Sequence, residues 1–378
     1  MSLTQSAHNF KKGAKIFAVV LVVYYLFILF IIPRGQDLVD LLTANKEPPN
    51  PEFGILDPLK FTRKPINDPP PRYTLNTKDG KLPRKIPNKM LVYRIKPAQF
   101  SFQAGKEAME DAVFIGFRED ELTTDLKADV YKWRSLVSGG ILEIDTKTRS
   151  LKMETDLYGR FSEFKAGSLN EDTAKRFSKE LFTKINRFDD KLYVEGEQVV
   201  HLGRYIGNNI TEARNLPEVQ LARVDFFREI NGYPILGPDP TKGLLSTVLR
   251  NPVKTSSPFN YPRIEAYYWE INPESTATYP IITVEDAWAQ VQQGNGIISN
   301  VTPKGANVFD PYAKARVENI LVDNIYLAYY ETPEYMPYLQ PMFVFSGKYT
   351  TKNTEGGDVT LYYPAISGEY TKSVESDQ

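Results

Sequence analysis

The sequence contains no cysteine and only two histidines among its 378 residues. The absence of cysteine excludes disulfide bonds, thiolate metal ligands and a cysteine nucleophile. A zinc site needs several His, Asp or Glu ligands at fixed spacing, and the histidines available are His8 and His201. We therefore predict no metal site and no cofactor.

The sequence also lacks an excess of charge of either sign. Its formal net charge is -1, and no block of lysine and arginine of the kind that follows a phosphate backbone is present. Nucleic acid is therefore not an expected partner. The content of 42% hydrophobic and 25% charged residues is typical of a folded protein, and about 300 residues are enough for one large or two ordinary domains.

One long hydrophobic run is present near the amino terminus. It is an unbroken run of apolar and aromatic residues from Ile16 to Ile32, between Lys15 and Arg34. As a helix it would measure about 26 Å, close to the thickness of a bilayer core. A cleaved signal peptide is the competing interpretation, but the run does not end in the small residues that a cleavage site needs. The run predicts a transmembrane anchor over residues 15–33.

The flanks of this run predict its orientation. The tail 1–14 and Lys15 are basic without acidic residues, whereas Arg34 and Lys46 are accompanied by acidic residues. By the positive-inside rule, the amino terminus is cytoplasmic and the main body extracytoplasmic. We expect a single-pass protein of the cell membrane, and the absence of cysteine favours a bacterial one.

Residues 34–88 are rich in proline, with Pro69, Pro70 and Pro71 in succession. Such a segment is typical of an extended stalk. The alternative is a segment that wraps along the folded body, because it also carries apolar side chains that a solvated linker would not need. These are Phe53, Ile55, Leu56, Leu59 and Phe61.

Residues 89–188 are expected to form a first extracytoplasmic domain. Alternation of apolar and charged residues indicates strands with one wet face, and apolar residues at three- and four-residue spacing indicate a helix on a sheet. The predicted elements are strands at 91–95 and 112–117, a hairpin over 141–155, and a helix that begins at Ser168 or Asn170 and carries a core stripe from Ala174 to Ile185.

Residues 189–366 are expected to form a second domain, followed by a polar tail over 367–378. Asn231-Gly232 between two apolar runs is a strong hairpin signal, and Thr283 begins a capping-box-like helix that ends before Gly294. The other predicted strands are 192–194, 199–206, 221–230, 263–271, 317–330 and 339–345. Antiparallel sheets, each covered by a helix, make the predicted fold class α+β.

Motifs that could carry catalysis are weak. Ser162 and Lys165 fit the S-x-x-K pattern, but the other elements of penicillin-binding enzymes are missing. His201 alternates with apolar neighbours in a strand and is more typical of a surface or packed histidine. Gly294 and Gly296 follow a helix, so they indicate a helix stop, not a phosphate loop. We predict no catalytic residue.

Aromatic residues cluster in the second half of the sequence and could form a binding face, since tyrosine combines a large contact area with a polar tip. On alternating strands, half of each cluster must face the core. A possible interaction surface comprises Tyr267, Trp269, Tyr329, Tyr335 and Tyr338.

The order of the helix start at Thr283, the strand that ends in Tyr329-Tyr330 and the strand after it resembles PepSY-like modules. With the hairpin from Asp225 to Leu236, it is similar to the YycI/YycH-type family of membrane-anchored accessory proteins. The resemblance covers Leu221 to Gly347. It implies a non-enzymatic protein that binds and restrains a partner in or near the membrane.

We therefore expect a regulatory or assembly factor of the bacterial envelope that acts by protein–protein interaction, with another membrane or envelope protein as its partner. Two alternatives stay open. One is a glycan-binding protein or acid-based hydrolase, which a pocket with two carboxylates would support. The other is a structural subunit of a membrane complex.

Overall fold

Two large β-sheets provide most of the regular structure of this protein. The computed structural model describes residues 48–66, 70–97, 103–123, 129–159, 164–167, 169–188, 191–251, 260–267, 269–310, 312–352 and 354–372. From Pro51 onward the chain forms one compact unit. Of the other unit, which ends at Asn50, residues 48–50 are described.

The helices are α1 (Ala104–Ile115), α2 (Glu171–Lys184), the single turn α3 (Leu192–Glu195) and α4 (Val284–Gln292). The strands are β1 (Arg72–Leu75), β2 (Lys89–Ile95), β3 (Val130–Arg134), β4 (Ile141–Asp145), β5 (Leu151–Glu154), β6 (Gln198–Ile206), β7 (Asn209–Glu212), β8 (Leu221–Phe226), β9 (Arg228–Ile230), β10 (Tyr233–Leu236), β11 (Leu245–Arg250), β12 (Arg263–Ala266), β13 (Ile271–Pro280), β14 (Ile297–Pro303), β15 (Asn319–Tyr330), β16 (Tyr338–Thr351) and β17 (Thr354–Pro364).

The eight-stranded sheet is antiparallel throughout, in the order β3-β4-β5-β12-β11-β8-β6-β7. One face carries alternating apolar residues that pack under α1 and α2, with Phe182 and Phe226 edge to face at 5.8 Å. On the other face, Phe309 packs against Leu221 and Val248. Because both faces of the central strands are covered, β8 is buried at every position.

The nine-stranded sheet follows the path β13-β2-β16-β15-β10-β9, with β1 beside β15 and the pair β14-β17 beside β16. Its central pairing joins β15 and β16 over almost their whole length. Helix α4 covers it through Trp288 and Val291, which belong to the largest apolar cluster. Strand β13 lies at one end of the path, so it is an edge strand of this sheet.

The described part of the proline-rich segment packs along the nine-stranded sheet. Leu56 is fully buried and forms a parallel bridge with Thr371. Phe61 packs edge to face on Tyr330 at 4.8 Å, and Lys64 donates its backbone N–H to the carbonyl of Ile298 at 2.8 Å. Of the two interpretations of this segment, these contacts correspond to the wrapping one.

Several predicted elements are confirmed. The hairpin of β4 and β5 forms as expected, and α2 begins at Asn170, whose side chain accepts the N–H of Thr173 at 2.8 Å. Asn231 and Gly232 have φ of 52° and 77°, as a tight hairpin turn requires. Helix α4 begins at Thr283, whose hydroxyl accepts the N–H of Asp286 at 3.1 Å.

The predicted α+β fold class is wrong, because the described chain is mostly β with two large sheets. Strands such as β11 were not predicted, since a strand buried on both faces shows no alternation of polar and apolar residues. Strand β14 was not predicted either; it begins directly after the predicted helix stop at Gly294 and Gly296. The eight-stranded sheet also takes strands from both sides of the predicted boundary between residues 188 and 189.

Four local predictions are wrong as well. The predicted strand 263–271 contains parts of two strands, since β12 ends at Ala266 in the eight-stranded sheet and β13 begins at Ile271 in the nine-stranded sheet. The predicted strand 112–117 is the end of helix α1, in which Ala108, Ala112 and Ile115 face the core at helical spacing. The predicted strand 192–194 is the helical turn α3. The predicted strand 221–230 is divided at Phe227, where the chain passes from the eight-stranded sheet to the nine-stranded one.

In the part of the chain that the structure describes, no helix is both long enough and apolar enough to cross a bilayer. The structure therefore gives no support to the predicted single-pass anchor. The run from Ile16 to Ile32 lies outside the described residues, as do Ser162 of the S-x-x-K pattern and the alternative helix cap Ser168.

Candidate functional site

A pocket of about 360 Å³ opens at the β13 edge of the nine-stranded sheet. We name it the Arg94 pocket. Three separate stretches of chain form it: residues 51–66, which we name the wrapping segment, strand β2 and the first half of β13. Its lining residues are Glu52, Phe53, Arg94, Asn272, Glu274, Ser275 and Thr276.

The register of three strands places the key side chains in one row. Arg94 of β2 lies opposite Tyr338 of β16 on one side and opposite Asn272 of β13 on the other. Directly opposed residues in a sheet project on the same face and contact each other. The guanidinium of Arg94 therefore lies next to the ring of Tyr338 and the amide of Asn272.

Two aromatic rings hold the guanidinium of Arg94. Its central carbon lies 4.9 Å from the ring centre of Phe53 and 5.5 Å from that of Tyr338. The two rings stack on each other at 4.7 Å and 20°. Cation–π contacts of this kind are worth about 0.5–1 kcal/mol at an exposed position. They limit the orientations of a side chain that would otherwise move freely in water.

Strand β13 bends at the pocket because its register with β2 shifts between Asn272 and Thr276. The Asn272 side chain accepts the N–H of Glu274 at 3.2 Å, a local turn typical of asparagine. Bulges of this type re-aim side chains and often occur beside functional sites. Here the bulge directs Glu274 and Ser275 to the pocket.

The wrapping segment contributes the remaining wall. Gly54 has φ of 70° and donates its N–H to the carbonyl of Pro51 at 2.9 Å, which closes a turn around Glu52 and Phe53. The hydroxyl of Tyr279 donates to the carbonyl of Gly54 at 2.9 Å. This turn is fixed to β13 and positions Phe53 against Arg94.

Three residues of the predicted aromatic surface lie beside this pocket. Tyr338 holds Arg94, and Tyr335 packs on Trp269 with ring centres 5.1 Å apart. The hydroxyl of Tyr335 points to the carbonyl of Ile95 at 3.4 Å, and this tyrosine is 44% exposed. Burial raises the pKa of Tyr335, against the lowering effect of Arg94.

The structure does not bring the other two predicted aromatic residues to the pocket. Tyr329 is buried in the core, where its hydroxyl donates to the carbonyl of Leu91 at 2.9 Å, and burial raises its pKa. Tyr267 follows β12 and is half-buried. Burial and the nearby carboxylates of Glu265 and Glu334 raise its pKa.

His201 lies on β6 and is half-buried, with its neighbours Val200 and Leu202 packed in the core of the eight-stranded sheet. Opposite it is Arg223, which forms an ion pair with the fully buried Asp225 at 2.8 Å. Burial and the charge of Arg223 lower the pKa of His201.

Two other buried charge clusters were not predicted from the sequence. Arg228 and Glu331 form an ion pair with both side chains fully buried, and Arg228 donates to the carbonyl of Trp269 at 3.1 Å. Asp111 on α1 lies 3.6 Å from Arg187. Burial raises the pKa of Asp111 to about 6, although Arg187 lowers it.

Among the described residues, no group of three or more histidine or acidic side chains is arranged to hold a metal ion. The Arg94 pocket instead combines one guanidinium, two carboxylates, an aromatic ring and three short polar side chains. This set can form hydrogen bonds and ion pairs with a ligand and exclude water at one wall. It is chemically suited to binding.

Sequence reasoning missed Arg94 and the acidic residues of the pocket. Arg94 is a polar residue in a strand that is otherwise apolar after Lys89, a signal too common to identify a site. Phe53 was recognised as an anchoring side chain, but its partner Tyr338 is 285 positions away in the sequence (338 minus 53). Their contact depends on the path of the wrapping segment.

No protein-family model matches the chain, and no curated protein matches it. Among solved structures, the chain is similar to that of an uncharacterized protein from Eubacterium rectale, with 12% identity and a TM-score of 0.42. The match covers 76% of this chain and 87% of that one. At this identity and TM-score, the similarity supports no conclusion about the family or function of this chain. Nothing in these comparisons supports the PepSY-like or YycI/YycH-type resemblance, so no function is drawn from it.

Proposed function

We propose that this protein is a non-enzymatic binding protein that acts through contact with a partner protein, as a regulatory or assembly factor, and that the partner binds at the Arg94 pocket. The observation that carries the proposal is the pocket itself: an open site at a sheet edge where two rings hold a cation in place.

The aromatic and arginine side chains at this site support this choice. Tyrosine, tryptophan and arginine are the residues that most often carry binding energy at protein interfaces. Arg94, Tyr335 and Tyr338 lie together at this site, with Trp269 packed behind Tyr335. Since Trp269 donates its indole N–H to the carbonyl of Thr332 at 2.8 Å, the cluster has a rigid base.

Photo-crosslinking in the cells that produce the protein tests the proposal. Ser275, in the bulge of β13, is replaced by a benzophenone amino acid in the full-length chain, and Asn209, exposed on β7, is replaced in a matched control. We expect a discrete crosslinked protein from position 275, none from position 209, and loss of the product when Arg94→Gln is added. Equal products from both positions, or none from 275, would reject the proposal.

A second candidate function rests on one specific observation. Glu52 and Glu274 both line the pocket, and paired carboxylates are the groups that an acid-based glycosidase uses. Incubation of the purified protein with cell-wall glycan tests it. Release of reducing ends that Glu52→Gln or Glu274→Gln abolishes would favour the hydrolase over the binding protein.

A further inference from the structure

Next to the Arg94 pocket, no strand of the described residues pairs with the outer edge of β13. Ile281 donates its N–H to the carbonyl of Asn88 on the β2 side, whereas the carbonyl of Pro280 accepts the N–H of Ser367 on the other side. Since backbone groups alternate in direction along a strand, those of Thr276 and Thr278 also point away from β2. Within the described chain, no backbone or side-chain hydrogen bond reaches these outward groups.

An unpaired edge of this kind can accept an additional strand from another protein. In such a complex, main-chain hydrogen bonds provide affinity, and pockets for alternate side chains provide specificity. The bulge at Asn272 to Thr276 ends regular pairing at one side, and Pro280 limits it at the other. The edge therefore fits a short segment and is protected against unlimited pairing between copies of the chain.

The charges of the pocket favour a cationic side chain in the segment that pairs with this edge. Two carboxylates, Glu52 and Glu274, face one guanidinium, so the formal charge of the lining is negative. The stacked rings of Phe53 and Tyr338 already contact the guanidinium of Arg94. Among the described residues, no ion pair of 4.0 Å or less joins Arg94 to Glu52 or Glu274. Both carboxylates are therefore available to a cation, and a ring of Phe53 lies beside them for its apolar stem.

We propose that the partner contributes an extended segment that pairs with β13 at Thr276 and Thr278 and places a lysine or arginine side chain in the Arg94 pocket, against Glu52 and Glu274. This inference rests on the proposed function, because it specifies how the partner binds at the same site. It requires no covalent step and no cofactor.

Binding of the full-length protein to an array of capped random decapeptides tests the proposal without knowledge of the partner. We expect the selected peptides to share a lysine or arginine at one position, with β-branched residues around it. Glu52→Gln and Glu274→Gln should each weaken binding about tenfold, since a charge-assisted hydrogen bond is lost. Glu212→Gln, at an exposed glutamate on edge strand β7, is the matched control and should leave binding unchanged.

A second pair of variants tests pairing with the strand edge. Thr278→Pro removes the outward backbone N–H of residue 278, one of the two on this part of β13. Thr278→Ala removes the threonine side chain but keeps that N–H. Pairing predicts loss of peptide binding in the proline variant and retention in the alanine variant, with both folded by circular dichroism. If the proline variant misfolds, protection of the Thr276 and Thr278 amides from hydrogen exchange on peptide binding to the wild type provides the same test.

The possible results separate this inference from the proposed function. Selected peptides without a basic residue, or basic peptides that bind Thr278→Pro as well as Thr278→Ala, would overturn the inference. Absence of any selected peptide would also overturn it. In each of these cases a crosslinked partner from position 275 would leave the proposed function standing, whereas absence of that crosslink would reject the function as well.

Discussion

Among single side chains, Asp111 is the one whose ionisation most clearly opposes folding. Burial beside Arg187 raises its pKa to about 6, above the value of about 3.9 for an unfolded chain. A raised carboxyl pKa means that the folded state holds the proton more tightly. The contribution of Asp111 to stability is therefore complete below about pH 4 and is lost as the pH rises through about 6.

Replacement of this carboxyl predicts a pH-dependent difference in stability. Asp111→Asn should be more stable than the wild type by about 1–2 kcal/mol at pH 7, after allowance for solvent screening, and equal to it near pH 4. Urea unfolding at the two pH values measures this difference. The control is Asp120→Asn, an exposed carboxyl paired with Arg118. A constant difference at both pH values would show that the ionisation of Asp111 does not oppose folding.

Disruption of the buried ion pair of Arg228 and Glu331 is expected to lower stability strongly, in contrast to the gain predicted for Asp111→Asn. Glu331→Gln leaves the guanidinium of Arg228 buried without its counter-charge, which costs about 3–5 kcal/mol of the free energy of unfolding. The same exchange in an exposed pair, Asp358→Asn beside Lys348, should cost less than about 1 kcal/mol. Chemical denaturation at pH 7 compares the two. Equal effects would mean that burial does not determine the strength of the pair.

The wrapping segment is the element that links stability to the candidate site. Leu56 is fully buried, whereas the adjacent Ile55 is 62% exposed. Leu56→Asp should release the segment, because a charge cannot stay in the apolar core, and should thereby remove Phe53 from Arg94. Ile55→Asp should have no such effect.

Limited digestion with trypsin measures this release. Cleavage after Lys60 and Arg63 should become at least about tenfold faster in Leu56→Asp than in the wild type, since cleavage follows the population of the open form. The Ile55→Asp variant should be cleaved at the wild-type rate. Equal cleavage of both variants would show that the segment is not fixed by Leu56.

Elements with local signals could be predicted from the sequence, and the others could not. The Asn231-Gly232 turn and the Thr283 cap depend on residues adjacent in sequence, and both are confirmed. Strand β11 is buried on both faces, so it shows no period of two. Residues 112–117 contain β-branched and aromatic residues typical of a strand, but the core contacts of Ala112 and Ile115 fix residues 112–115 in the last turn of α1.

Each of the two sheets combines strands that lie far apart in the sequence, and the chain passes from one sheet to the other more than once. The crossing at Phe227 and the loop that carries Phe309 from the nine-stranded sheet to a face of the eight-stranded one join them. These joints depend on contacts between residues far apart in the sequence. The Arg94 pocket has the same origin, which is why three of its neighbours were predicted as an interaction surface but the pocket itself was not.

The measurement that most directly tests partner binding at the Arg94 pocket is amide hydrogen exchange of the full-length protein, alone and with the partner captured by crosslinking. We expect added protection to be confined to residues 51–56 and 271–280, with the strongest effect at Thr276 and Thr278. Protection at other surfaces, such as β7, with none in these two ranges would contradict the assignment of the site.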